Sequence, residues 1–189
     1  MNGIILASGY STRMGKNKLM MKINNEEIIK HVIKEVKKSN INNVILVARE
    51  KDVLDIGKDF EIKIFENKAA HLGQSTSIKI GIRNCENNEN YMFFCGDQPF
   101  VDFESINKLI EVSNKHKDNI IVPKVNGRIG SPVIFPKVYK TELSLLTGDV
   151  GGREIIKNNK ENIIYVEIDN LLFLEDIDTE EDYKNLSKL

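Results

Sequence analysis

Short apolar runs alternate with longer amphipathic ones along this 189-residue chain. GIILA (3–7), VILVA (44–48), EIKIF (61–65), YMFFC (91–95), IIVP (120–123) and IIYVEI (163–168) are β-branched or aromatic runs of strand length. Several are apolar throughout, as strands covered on both faces are. Between them the apolar period becomes helical. In EEIIKHVIKEVKKSN, Ile28, Ile29, Val32, Ile33 and Val36 fall on one stripe; Glu26 and Glu27 are expected in the first turn and the lysines in the last, as the macrodipole favours. STSIKIGIRN, FESINKLIEVSNK, VYKTELSLL and TEEDYKNLSKL carry similar stripes. Thr179 is placed to cap the last of these. Because Asp182 rather than Glu or Gln stands three places on, the expectation there is an acidic first turn without a full capping box. Strands alternating with helices predict a layered α/β fold around a mostly parallel sheet, as one domain over 1–189. In such sheets ligands bind beyond the carboxyl ends of the strands, which directs attention to the loops after Ala7, Phe65 and Cys95.

Composition narrows the partners. Twenty-seven Lys and Arg against 28 Asp and Glu leave a net charge of −1, so there is no bulk footprint for nucleic acid or an anionic membrane, and a small-molecule partner is expected. Cys85 and Cys95 lack CxxC spacing and no charged-then-apolar leader opens the sequence, which together predict a reducing compartment, the cytoplasm. No apolar run approaches the roughly 20 residues of a membrane-spanning helix.

The stretch LASGYSTRMGKNK, Leu6 to Lys18, follows the first strand and has the glycines, hydroxyls and cations of an anion-binding loop. A Walker loop requires GxxxxGK followed by Ser or Thr; here Gly9 to Gly15 is one residue too long and Asn17 replaces the hydroxyl. The dinucleotide fingerprint GxGxxG fails as well, with Ser11 where the second glycine must stand. What remains is a long loop of small residues from which Arg13 and Lys18 can reach one anion, or else a solvated loop with surface cations. GDQP, Gly96 to Pro99, follows YMFFC and sets Asp97 at the carboxyl edge of the sheet, where a hard oxygen ligand suits Mg²⁺ on a nucleotide's phosphates. In EDIDTEED, Asp176 and Asp178 alternate so that both can face one side; Asp178 reads either as a metal or site residue or as part of an acidic entry to the last helix. His31 reads as structural, His71 as adjacent to the site or incidental, and His116 as an ordinary helix-end cation.

In order, LASGYSTRMGKNK, HLGQSTSIKIGI, GDQP, NGRIGSPVIF, LLTGDVGGREII and DIDTEEDY resemble the molybdenum cofactor nucleotidyltransferases, and among them the cytidylyltransferases, over essentially the whole chain. The resemblance implies a three-layer, Rossmann-like nucleotidyltransferase fold with a mixed, mostly parallel sheet. It also implies transfer of CMP from CTP to the phosphate of molybdopterin with Mg²⁺, and a recipient molybdoenzyme for the product. Arg13, Lys18 and Asp97 would be catalytic, and Asp97 and Asp178 would hold the metal. The nucleotide would be enclosed by Leu6, Ala7, Ser8, Gly9, Ser11, Met14, Gly15, Gly73, Ser77 and Gly96 together with Arg13, Lys18 and Asp97. Ser75, Thr76 and Ser77 equally suit a helix N-cap. Gln98, Ser131, Asp149 and Arg153 would meet the acceptor, although a plain turn and helix also accounts for the last two.

Two departures bear on specificity. Guanylyltransferases of this family typically read LAGG with three residues between RMG and the lysine, and cytidylyltransferases LAAG with two. This chain has two, Lys16 and Asn17, but carries Ser8 where both have a smaller residue. Ser131 stands where many relatives have His. Transfer to another phosphorylated acceptor, guanylyl transfer, and a non-catalytic nucleotide-binding partner of molybdoenzymes are the alternatives.

Overall fold

The computed structural model describes residues 1–12, 14–85 and 89–188. Its main sheet is built from β1 (Asn2–Ala7), β4 (Asn43–Ala48), β5 (Lys63–Glu66), β6 (Tyr91–Cys95), β7 (Ile120–Val125), β8 (Arg128–Ile129), β9 (Val133–Phe135) and β10 (Ile163–Glu167). A small hairpin joins β2 (Lys22–Ile23) to β3 (Glu26–Glu27). The helices are α1 (Ile28–Lys38), α2 (Lys51–Asp59), α3 (Gln74–Arg83), α4 (Phe103–Lys115), α5 (Lys140–Leu145), α6 (Arg153–Asn158) and α7 (Glu180–Leu186).

The strand order is β10-β7-β9-β6-β1-β4-β5, with β8 on β7. β1 pairs in parallel with β4 and β6, and β10 with β7, whereas β9 runs antiparallel to both β6 and β7. The sheet is therefore mixed and mostly parallel, as expected. Alternate residues of the apolar strands enter opposite cores. Ile5, Ala7, Leu46, Met92, Phe94 and Ile121 pack with α1, α2 and α4; Ile4, Ile45, Val47, Phe93, Val122 and Phe135 pack with α3, α5 and α6. Two cores explain why these strands lack alternation in sequence.

Three local expectations change. Glu26 and Glu27 precede α1 and form β3 against Lys22 and Ile23, so α1 has no acidic first turn; Glu26 pairs with Lys34 and Glu27 with Lys30 instead. A full capping box does start α7: Thr179 Oγ1 accepts from Asp182 N (3.1 Å) while Asp182 Oδ2 accepts from Thr179 N (2.7 Å). The same Asp182 oxygen also accepts from Asp178 N (3.1 Å). Finally, α3 is capped by Gly73, and Thr76 Oγ1 donates back to Gly73 O (2.8 Å), so the Ser75–Ser77 stretch forms the first turn and not an N-cap.

Candidate active site

Three loops leave the carboxyl ends of β1, β5 and β6 and line one cleft of about 510 Å³. Leu6 to Thr12 supply one wall, Ala70, Gly73, Gln74 and Ser77 another, and Cys95 and Asp97 the floor, with Lys18, Asp149 and Asp178 at its edges. An added Cβ on Gly9 would meet nothing within 4 Å, so the loop backbone there is bare toward the cleft. Ser11 holds a left-handed φ of 51°, an uncommon conformation for a serine, and its Oγ accepts from Lys18 N (3.3 Å) across the turn. Met14 buries its side chain in the core and anchors the loop there, while Gly15, exposed at φ 64°, lies outside the cleft. Arg13 lies outside the described residues.

Lys18 is the centre of the charge arrangement. Asn17 Oδ1 accepts from Leu19 N (3.2 Å) and fixes the short turn on which the lysine sits. Lys18 Nζ lies 2.6 Å from Asp97 Oδ2 and 2.6 Å from Asp178 Oδ1. Burial by itself would lower its pKa, but Asp97 and Asp178 more than offset that and hold the ammonium above its ordinary value. Asp97 is tied to the last segment through its carbonyl, which accepts from Ile177 N (3.1 Å). Asp176 is held above the usual carboxylate range by desolvation and then by the charges of Asp97 and Asp178. Two acids thus contact one lysine, and a third stands near enough to feel their charge.

Among the described residues no group of three or more His, Cys, Asp or Glu forms a ready metal cage. The donor set nevertheless suits Mg²⁺, which binds through one or two carboxylates and completes its shell with water and substrate phosphates. Asp97 and Asp178, already able to share one cation, fit that role.

A second cleft of about 690 Å³ shares Leu6, Gln74, Cys95 and Asp149 with the first. Ile78, Phe93, Val133, Phe135, Leu143, Val150 and Ile156 line its apolar part, and Asp149, Arg153, Glu154 and Lys157 its charged part, Arg153 and Lys157 lying one turn apart on α6. Ser131 also lines it, within hydrogen-bond reach of the Cys95 thiol. Burial, and then the charge of Asp97, pushes that thiol up to about 12, so at neutral pH Cys95 is a neutral wall and no nucleophile.

The wall between the clefts is a close backbone contact. Gly73 has φ 98° and ψ 177°, a region open essentially to glycine alone, and a Cβ there would lie 2.3 Å from Gly148 C. Ser75 N donates to Gly148 O (3.2 Å) and Gln74 N to Asp149 Oδ1 (3.2 Å). Asp149 therefore caps the start of α3 while facing both clefts.

Leu6, Ala7, Ser8, Gly9, Ser11, Lys18, Gly73, Ser77, Asp97 and Asp178 come together in the first cleft, and Ser131, Asp149 and Arg153 in the second. Gln98 does not join them. Its turn directs it inward, where it is 5% exposed and donates to Leu174 O (3.2 Å). Gly96 serves packing: a Cβ would come within 3.1 Å of Ile29 and 3.3 Å of Ala7. His71 is exposed and lines neither cleft.

The sequence reading overlooked Asn67 and Tyr10. Asn67 is fully buried after β5; its Nδ2 donates to Thr76 Oγ1 (2.9 Å) and Ser77 Oγ (2.8 Å), fixing the Ser77 hydroxyl at the cleft. An asparagine one residue past the end of β5 was the available signal. Tyr10 lines the first cleft and stacks under the Arg49 guanidinium at 4.1 Å, an aromatic exception within a loop of small residues.

Comparison with known proteins adds the family. The model described as "MobA-like NTP transferase domain" matches residues 3–163. A protein named "Probable molybdenum cofactor guanylyltransferase" from Natranaerobius thermophilus is 32% identical over 129 residues, 67% of this chain and 61% of that relative, so the match spans less than two thirds of its length. "Purine catabolism protein PucB" of Bacillus subtilis is 28% identical across 96% of this chain and 93% of its own. Among solved structures, Rv0371c of Mycobacterium tuberculosis superposes with a TM-score of 0.85 at 19% identity, covering 100% of this chain and 97% of that one. A manganese complex of the same mycobacterial protein superposes at 0.82 with 18% identity, covering 99% and 97% of the two chains.

Proposed function

Because the chain belongs to the family of MobA-like NTP transferase domains, we propose that it transfers CMP from CTP to the terminal phosphate of molybdopterin, giving the cytosine dinucleotide cofactor and pyrophosphate. One observation carries the reading: a lysine and two carboxylates converge in a cleft that shares a wall with a second one, lined by apolar side chains and by the cations Arg153 and Lys157. The nucleotide takes the first cleft, with its phosphates along the bare backbone at Gly9 and within reach of Lys18. The acceptor takes the second, and its phosphate crosses the shared wall at Leu6 and Cys95.

An oxygen of the acceptor phosphate attacks the α-phosphorus, a new P–O bond forms, the bond from that phosphorus to the bridging oxygen breaks, and pyrophosphate leaves. A phosphate monoester with a second pKa of about 6 is already ionised near neutral pH, so the step needs no strong base. The described linings of both clefts, which hold no histidine, suit that requirement. Two anions must instead be brought together and neutralised. Lys18 supplies a point charge and Arg13 a fork, while Asp97 and Asp178 would hold Mg²⁺, which when bound offsets charge on the reacting phosphates. The manganese complex of a protein with the same fold is in keeping with a divalent ion.

Phe93, Val133 and Phe135 on one side of the second cleft suit the flat ring of a pterin, and Arg153 and Lys157 on the other suit an anionic group. Two-residue spacing before Lys18 favours CTP, and Ser8, whose Oγ donates to Val47 O (3.2 Å), narrows the cleft beside β4. Guanylyl transfer is the second reading, favoured by the names of relatives from Natranaerobius thermophilus and Aquifex aeolicus.

The test is pyrophosphate release, crossing CTP, GTP and ATP with molybdopterin and a panel of sugar phosphates. Turnover with CTP and molybdopterin is expected, along with a larger rise in melting temperature with CTP and Mg²⁺ than with GTP. A larger shift with GTP overturns the base assignment, and turnover confined to sugar phosphates overturns the acceptor.

A further inference from the structure

The two carboxylates suited to a divalent ion are already bridged by a cation of the chain itself. Lys18 Nζ is 2.6 Å from each of them, and its side chain is only 12% exposed. A Mg²⁺ ion ligated by both would sit about 2.0–2.1 Å from their oxygens, in space the ammonium fills. The two cations cannot share that position.

All three members of this group are pinned through their backbone, and the lysine alone carries its charge on a long stem. Asp178 precedes the Thr179–Asp182 capping box, and its N–H donates to Asp182 Oδ2 (3.1 Å). Asp97 follows β6 directly, and its carbonyl accepts from Ile177 N (3.1 Å). Lys18 is pinned likewise, through Ser11 Oγ and the Asn17 turn, but a four-carbon stem carries its charge, whereas each carboxylate stands one carbon from its own backbone. The same stem lines the cleft in which the loop backbone is bare at Gly9.

We propose that Lys18 is an internal counter-cation that excludes the divalent ion from Asp97 and Asp178 until a nucleoside triphosphate arrives. Metal and nucleotide then enter as one complex, and Lys18 exchanges its carboxylates for phosphate oxygens. This rests on the nucleotidyl-transfer reading of the site and adds an order of binding to it. The exchange keeps charge matched at each stage: the carboxylates never stand together without a cation, and Lys18 passes from one anion to another.

The experiment is a titration of the free, full-length protein with Mn²⁺, followed by the electron paramagnetic resonance signal of the free ion, without nucleotide. Wild type is expected to bind weakly. Lys18→Met and Lys18→Gln are expected to bind at least tenfold more tightly, and Lys18→Arg, which keeps the charge, as weakly as wild type. Adding Asp97→Asn to Lys18→Met should abolish the gain. Melting curves establish that each variant is folded; Lys18→Gln, which can still hydrogen-bond the carboxylates, carries the test if Lys18→Met is not. Affinities of wild type and a folded neutral variant within twofold of each other overturn the proposal, as does a tight-binding Lys18→Arg. Pyrophosphate release measured separately on wild type keeps the two readings apart. Turnover with no separation of Mn²⁺ affinities overturns the exchange alone, whereas a tenfold separation without turnover supports the exchange and overturns nucleotidyl transfer.

Discussion

Two clefts meet at Leu6, Gln74, Cys95 and Asp149, and they are built from different parts of the fold. The first lies where the parallel strands β1, β5 and β6 end, and its chemistry is a lysine held between carboxylates. The second lies over β6 and the antiparallel β9, with Phe93, Val133 and Phe135 for its floor and α6 at one side. The first gathers its charge into one ion-paired lysine with two carboxylates, whereas the second sets Asp149, Arg153, Glu154 and Lys157 around apolar side chains. On the proposed reading, neutralisation and acceptor recognition fall to different residues and can be altered separately.

The largest effects should fall on the first cleft alone. Asp97→Asn is expected to eliminate pyrophosphate release with an unchanged melting curve, and retained turnover would remove Asp97 from the metal role. Lys18→Ala should slow turnover on the order of a hundredfold, about 3 kcal/mol, by analogy with loss of one preorganised donor. A near-wild-type rate would reduce it to a structural ion pair.

The wall itself should respond as structure. Gly73→Ala forces a Cβ against Gly148 and a glycine-only φ, and is expected to cost at least about 2 kcal/mol in denaturant unfolding. Gly9→Ala, with open space around the added carbon, should leave unfolding unchanged and weaken nucleotide binding. Equal loss of stability in both variants would erase the distinction between loop and wall.

In the second cleft, Val150→Asp places a charge among apolar neighbours and should raise the acceptor KM about tenfold while nucleotide affinity stays within twofold. A matching loss of nucleotide affinity would mean that the clefts are not separable.

The smallest effect tests the support of Asp178. Thr179→Ala removes one side of the capping box, at about 1 kcal/mol. Hydrogen bonds from the Thr179 side chain and from nearby backbone N–H groups hold the Asp182 carboxyl below its ordinary value of 3.8. The stability it contributes is therefore present above that value and lost as pH falls through the depressed one. Thermal melts should show the gap between Thr179→Ala and wild type narrowing only below about pH 4.

Much of this was legible in the sequence. Runs apolar enough to enter two cores announced β1, β4, β6 and β7, and the ends of β1 and β6 pointed to Lys18 and Asp97. The helix α2 escaped notice because its buried stripe is short, Val53, Ile56 and Gly57 between charged residues. The direction of β9 could not be read from three apolar residues. Nor could the Lys18–Asp178 pair, whose members are 160 residues apart. Gln98 misled for the opposite reason: it adjoins Asp97, but the turn after β6 sends consecutive side chains to opposite destinations, one to the cleft and one beneath Leu174.

The reversal of β9 has a bearing on how such a scaffold diversifies. Val133 pairs with Phe93 and Phe135 with Tyr91, so the beginning of β9 lies where its parallel neighbours end, and Ser131 reaches Cys95 from a loop that enters a strand. That loop is joined to β7 through the short β8 hairpin and supports no helical crossover. Residues 126–132 can lengthen, shorten or change character without disturbing the order of the parallel strands, whereas the loop after β1 must still lead into the packed face of α1. Descendants of one ancestral domain could thus come to accept different molecules by rewriting a hairpin, with the machinery for splitting a triphosphate inherited intact.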